Sequence, residues 1–252
     1  IDTAMSEYWR ALALPYEASM HILGGEMYVK KATVEYHASA KLDDTLDVGM
    51  RCARIGNSSC AFEAAIFCGE RLLVTGGQVN VFVDPATQTS TPGPAARREM
   101  RGGDEAGAEM VEVRTGDWNT LGRDAARLRT AVFVREQGIP ADVEADALDA
   151  SARHAVLYNR LGQPVATGRL LQQAPGVGRI GRMAVDRSVR GAQWGRVLLA
   201  ALVEAARARG DTQVQLHAQC SAQGFYERAG FTVAGAPYEE AGLAHVLMTQ
   251  AL

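Results

Sequence analysis

The sequence predicts an α+β protein made of two units, and three observations predict it. Residues 1–94 read as one helix followed by strand-like runs with short connections, which suggests antiparallel neighbours in an α+β layer arrangement. Residues 109–252 interleave strands with amphipathic helices and point to a mixed sheet flanked by helices. Between them, the stretch from Asp84 to Ala108 is rich in Pro, Gly, Ala and Thr and has no sustained apolar period; within it, residues 95–108 are assigned as the linker.

In the first unit, Met5, Trp9 and Leu12 share one helical face, so "DTAMSEYWRALAL" reads as a helix. The runs "EMYVKKATVEYHA", "TLDVGMRCARIG", "SCAFEAAIFCG" and "RLLVTGGQVNVFV" follow, rich in β-branched or aromatic residues. Asp43-Asp44, Gly56-Asn57 and Gly69 punctuate them. In the second unit the strand "EMVEVRT" precedes the helix "WNTLGRDAARLRTAVFVREQ", whose apolar stripe is Leu121, Ala125, Leu128 and Val132. Strands "HAVLYNR" and "PVATGRLLQQ" are joined by Leu161-Gly162-Gln163. Strand "GRIGRMAV", helix "GRVLLAALVEAARARG", strand "TQVQLHAQ", helix "SAQGFYERAGF" and strand "LAHVLMTQAL" complete the order.

With 47% hydrophobic and 22% charged residues the chain has enough apolar text for real cores, and a net charge of -3 gives no global basic field for nucleic acid or an anionic membrane. Cys52, Cys60, Cys68 and Cys220 form no CxxC pair and no Cys/His cluster, so no metal site is expected and the setting reads as reducing and cytoplasmic. No apolar run is long enough to cross a bilayer, and no signal peptide is visible. The chain opens on Ile1 inside helix-like text, and a preceding segment is expected.

The most informative stretch is "RIGRMAVDRSVRGAQWGRVLLAALVEAARARG": a strand, a turn holding Arg190, Gly191 and Gly195, and an amphipathic helix. Outward backbone N–H groups at such a turn, with the helix dipole behind them, suit a pyrophosphate, and Arg190 and Arg196 add positive charge. The turn resembles the pattern "[QR]-x-x-G-x-[GA]" of the GNAT N-acetyltransferases, with Arg190, Gly191, Ala192, Gln193, Trp194 and Gly195 in its six positions. Gln193 stands where that pattern has its central glycine, and its side chain is tolerable there only if φ is negative. "SAQGFYERAGF" resembles a second segment of the same family. So do the stretches around "VFVREQGIPADVEADALDASARHAV" and "EEAGLAHVLMTQAL", which extend the resemblance over nearly all of Val111 to Leu252.

The resemblance implies that acetyl-CoA is bound by Met183, Ala184 and Val185, by the turn from Arg190 to Arg196, and by Phe225 packed alongside. It implies an amine acceptor and Tyr226 as acid to the departing thiolate, with a backbone N–H of the strand around Arg182–Val185 turned to the developing oxyanion. An alkylamine, with a pKa of about 10.4, needs a general base. The candidates are Glu136, His217, Glu239 and Glu240, with Glu136 preferred; His154, His245 and Trp194 read as packing residues.

Residues 1–94 resemble a hotdog-fold acyl-CoA thioesterase of the 4-hydroxybenzoyl-CoA type. The resemblance is carried by "EYWRALAL", "YVKKATVEYHASAKLDDTLDV", "RIGNSSCAFEAAIF" and "RLLVTGGQVNVFVDPATQTSTP". Asp44 matches a turn aspartate of that family. Its catalytic "D-x-x-x-x-x-H-x-N" loop is not in this text. Either that loop precedes Ile1, or the unit is an inactive hotdog that serves dimerisation; Glu7 reads as a surface carboxylate. The whole is expected to be an acyl-CoA-using amine acetyltransferase with an attached thioesterase-like unit, homo-oligomeric through the hotdog. The alternative is a CoA-binding or sensing protein with little turnover.

Overall fold

The computed structural model describes residues 2–95, 109–240 and 242–252. They fall into two compact units, one up to Met110 and one from Val111 to Leu252. Most of the assigned linker, residues 96–108, lies outside the described residues.

The first unit opens with α1 (Asp2–Ala11) and α2 (Tyr16–Leu23). The sequence suggested one helix here; α2 was missed, although Pro15 before it and Gly24 after it bracket it. Four strands follow: β1 (Glu26–Tyr36), β2 (Asp47–Ile55), β3 (Ser59–Cys68) and β4 (Arg71–Asp84). They pair antiparallel in the order β1-β4-β3-β2, and the two-residue strand β5 (Thr89–Ser90) adds to β4. The helices attach through aromatic contacts. The Tyr8 ring meets Phe62 of β3 edge-on at 5.4 Å, Trp9 meets Tyr16 at 5.6 Å, and Met5, Leu12, Met20 and Phe82 are buried. Asp44 accepts a 2.8 Å bond from the Lys41 amide, the turn role expected of it, and exposed Glu7 pairs with Arg10. Among the described residues all four cysteines are free thiols.

The second unit is a sheet in the order β11-β13-β10-β9-β8-β7-β6. Its strands are β6 (Val111–Gly116), β7 (Arg153–Asn159), β8 (Pro164–Ala174), β9 (Val177–Val185), β10 (Gln213–Gln219), β11 (Thr232–Val233) and β13 (Leu243–Ala251), with β12 (Tyr238–Glu240) paired to β13. All pairs are antiparallel except β9 with β10, whose connection is the long helix α5 (Trp194–Arg209). A parallel pair needs such a crossover. Leu198, Leu199, Leu202, Val203 and Ala206 form the buried stripe of α5. On α3 (Trp118–Arg129), capped by Asp117 accepting from the Thr120 amide at 2.9 Å, Leu121, Ala125 and Leu128 are buried, as their spacing suggested.

The expected helix from Trp118 to Gln137 does not continue as an α-helix. It widens into a π-helix over Thr130–Glu136, where Thr130, Val132 and Val134 place β-branched side chains at alternate positions. The segment after it, α4 (Ala141–Glu144) and a 3₁₀ turn over Ala147–Ser151, was not foreseen. The helix expected over residues 221–231 is shorter: a 3₁₀ turn at Cys220–Ala222 and then α6 (Gln223–Glu227).

A charged cluster ties these segments to the sheet. Arg129, 1% exposed, reaches Asp149 through two bonds of 2.7 and 2.9 Å and also pairs with Glu144. Arg169 binds Asp149 at 2.7 Å and Asp146 through two 2.6 Å bonds. Arg182 adds Asp146 at 3.2 Å and the carbonyls of Val143 and Glu144 at 3.1 Å each. Three cations meet three anions, so desolvation is largely offset by mutual attraction. Trp118 covers the Arg129 guanidinium at 5.5 Å, and buried His154 donates from Nε2 to the Asp149 carbonyl at 3.0 Å.

Removing one member leaves a buried charge uncompensated. Asp149→Asn should lower stability by about 3–5 kcal/mol in urea denaturation. Hydrogen bonds from Arg169 hold Asp146 down from its ordinary 3.8 to about 2. Its folded value is the lower one, so its stabilisation is present above about pH 4 and lost as the pH falls towards 2. Asp146→Asn should flatten that part of the acid-unfolding curve.

Candidate active site

Strand β9 pairs with β10 only at Val177, Gly178 and Arg179, opposite Gln213, Val214 and Gln215. Beyond that point β9 runs on to Val185 and β10 to Gln219 without pairing to each other. A cavity of about 400 Å³ occupies the region of the gap. Ile180, Gly181, Arg182 and Met183 line it from β9, Leu216, His217 and Gln219 from β10, and Tyr226 from α6. The β8–β9 register shifts between the pairs Thr167–Ala184 and Arg169–Gly181, and Arg182 sits in this irregularity with a left-handed φ of 50°.

At the far end of β9 the chain turns through Asp186 and a 3₁₀ turn at Arg187–Val189 into the bend before α5. Gly191 has φ +92° and open space where a Cβ would stand. The amides of Gly191, Ala192, Gln193 and Gly195 find no acceptor among the described residues. The Gln193 carbonyl closes the first turn of α5, accepting from Arg196 at 2.8 Å and Val197 at 3.3 Å. Gln193 itself has φ 64°, ψ 10°. This corrects the expectation of a negative φ: the bend needs a left-handed residue whichever side chain stands there, at a cost on the order of 1–2 kcal/mol. Gln193 is exposed.

The other sequence-picked residues gather at this end and along the gap. Phe225 lies against the bend, 3.5 Å from where a Cβ on Gly195 would stand, and Val185 touches the same position from the strand. Arg196 is exposed, Ala184 is buried and pairs with Thr167, and Met183 lines the cavity. The Tyr226 hydroxyl has the Met183 sulfur 3.8 Å away, and burial pushes it up to about 12, so it stays protonated throughout the neutral range.

Glu136 stands elsewhere than a base would need to. The widened end of α3 brings its carboxylate onto Arg190 in a bidentate pair of 2.6 and 2.8 Å, while Arg190 Nε donates to the Val185 carbonyl at 3.0 Å. Hydrogen bonding from Arg190 lowers the carboxyl further below the usual carboxylate range, the opposite of what a base acting on an amine requires. Its place is at the bend, where it fixes Arg190.

On the cavity wall, His217 Nδ1 shares a hydrogen bond with the Tyr238 hydroxyl, and Tyr238 stacks on His245 at 6.0 Å. His217 is pulled below its usual value by partial desolvation; Glu240 opposes that shift, while Arg179 and His245 add to it. His245 Nδ1 donates to the Leu243 carbonyl at 2.9 Å and the side chain lines the cavity, while His154 is buried. Tyr238 escaped the sequence reading because the strand that carries it is only three residues long and has no period to detect.

A family model described as "Acetyltransferase (GNAT) domain" matches residues 121–252, more than half of the chain. This chain belongs to the GNAT acetyltransferases. The family's chemistry is acyl transfer from a CoA-derived donor. The chain is similar to the uncharacterized N-acetyltransferase YjcF of Bacillus subtilis, 35% identical over 127 residues, 50% of this chain and 89% of that protein. Protein ElaA of Escherichia coli is 35% identical over 130 residues, 49% of this chain and 83% of ElaA. Its crystal structure aligns with a TM-score of 0.51, over 56% of this chain and 99% of ElaA. An acyl-CoA N-acyltransferase from Pseudomonas aeruginosa aligns with a TM-score of 0.51 at 32% identity, over 56% of this chain and 99% of its own. Residues 1–75 match a second family model, described as "Thioesterase superfamily".

Gln193→Gly removes the left-handed strain in this GNAT unit. It should raise stability by up to about 1 kcal/mol, read as a higher urea midpoint at unchanged slope.

Proposed function

We propose that the unit from Val111 transfers an acetyl group from acetyl-CoA to an amine. The observation that carries the reading is the bend at Gly191–Gly195. The amides of Gly191, Ala192, Gln193 and Gly195 have no acceptor among the described residues, a helix of 16 residues starts behind the bend, and it stands at the end of the strand that borders the cavity. These groups fit a diphosphate: amides and helix dipole supply the donors, and Arg196 supplies charge. Arg190, held by Glu136, gives the bend a fixed edge. Acetyl-CoA supplies an acyl group on a thioester sulfur. His217, exposed to the cavity and drawn below its usual value by desolvation, takes the proton of the amine. Tyr226, held protonated, returns a proton to the sulfur that departs.

A CoA-binding protein with little turnover is the competing reading, and acetyl-CoA binding without consumption in the presence of amines would favour it. For the first unit, the match to the thioesterase superfamily supports acyl-CoA hydrolysis and assembly into at least a dimer. Release of free thiol from acyl-CoA without any amine checks the hydrolysis, and sedimentation velocity checks the assembly; a monomer that releases no thiol discards both.

Isothermal titration should detect acetyl-CoA binding. Tyr226→Phe should leave that affinity within about twofold and lower kcat on the order of 100-fold. An unchanged kcat removes Tyr226 from the mechanism. The groups facing His217 are Arg179, Tyr238, Glu240 and His245. Because His217 must be neutral to accept a proton, kcat/KM should rise with pH through a value below the usual histidine 6.5. His217→Gln should abolish that limb of the profile.

A further inference from the structure

Charged side chains line the cavity unequally. Arg169, Arg182, Glu144 and Asp146 face it, yet each is committed to the internal cluster. Arg179 lines it too, and its guanidinium has no ion pair and no hydrogen bond among the described residues. It sits where the parallel pairing ends, opposite Gln215, two residues before His217 on the neighbouring strand. It is close enough to His217 to weigh on that ring's titration. The one acidic side chain of the cavity wall outside the cluster is Glu240, beside Tyr238 and also felt by His217. The bend before α5 lies beyond the opposite end of β9, six residues and about 20 Å along the strand, so Arg179 is not placed for the diphosphate.

A half-buried guanidinium without a partner is costly, and its planar fork matches an oxygen anion. We propose that Arg179 binds a carboxylate carried by the acceptor, so the substrate class is an amine with an adjacent carboxylate, an amino acid, and not a plain alkylamine or polyamine. This rests on the transferase reading. Arg179 takes the carboxylate, and the amino group then lies towards His217 and Glu240, the base and an anion that attracts an ammonium. The single uncompensated positive charge suits a monoanion; a phosphate dianion would face Glu240 with charge left over.

The test is titration of the full chain, saturated with CoA, with matched pairs: phenylalanine against phenethylamine, leucine against isopentylamine, and serine against both ethanolamine and phosphoethanolamine. The wild type should bind the carboxylated member of a pair at least about 10-fold tighter, equivalent to about 1.4 kcal/mol. Arg179→Met should erase that difference while keeping CoA affinity, which also reports that the variant is folded. Equal affinities, a preference that survives Arg179→Met, tighter binding of phosphoethanolamine, or no binding of any amino acid overturns the proposal. Failure to bind CoA at all would instead sink the transferase reading, so the two failures are separate.

Discussion

The GNAT unit depends on one constraint: β9 and β10 must begin as a hydrogen-bonded parallel pair and then part. Pairing at residues 177–179 fixes their direction, and parting at Arg179 leaves β9 bordering a cavity instead of a neighbouring strand. Open backbone beside a cavity is costly inside a protein unless a ligand or water takes its place. A continuous sheet would fill the volume that Tyr226, His217 and Met183 now line. The parallel direction also requires a crossover, and the crossover helix is what sets the bend at the mouth of the gap.

The arginine–carboxylate cluster holds one wall of that gap. Its residues come from the end of α3, from α4, from the 3₁₀ turn and its cap Asp146, and from β8 and β9. Ion pairs are directional where apolar packing is not, and here they fix Arg182 in its left-handed backbone at the β9 irregularity. Glu136 does the same service at the other end, tying the widened helix to Arg190 and so to the bend. The two attachments bracket the π-helical stretch: Arg129 is the last residue of α3 before it and Glu136 is its final residue.

Much of this was legible beforehand. The strands of both units, the amphipathic stripes of α3 and α5 and the glycine-containing bend follow from period and turn chemistry, which are local. The bend and its neighbours Phe225 and Tyr226 were readable because each sits in a short contiguous pattern. Residues such as Arg129, Glu144, Asp149 and Tyr238 were not. Charged residues in polar text read as solvated, and only a fold that brings residues 15 to 20 positions apart into contact reveals that Arg129 is buried. The pairing of Glu136 was hidden for the same reason: its partner Arg190 is 54 residues away.

What the sequence by itself determined is the long strands, the two long amphipathic helices, the order in which they follow and the glycine-containing bend, because these depend on neighbours a few residues apart. Tertiary structure alone decided where β9 and β10 part, which carboxylates are consumed in ion pairs, that Gln193 must be left-handed, and that Arg179 reaches the cavity wall with no ion pair among the described residues. Each of those outcomes is a matter of which distant groups share a low-dielectric space, and no local pattern encodes that.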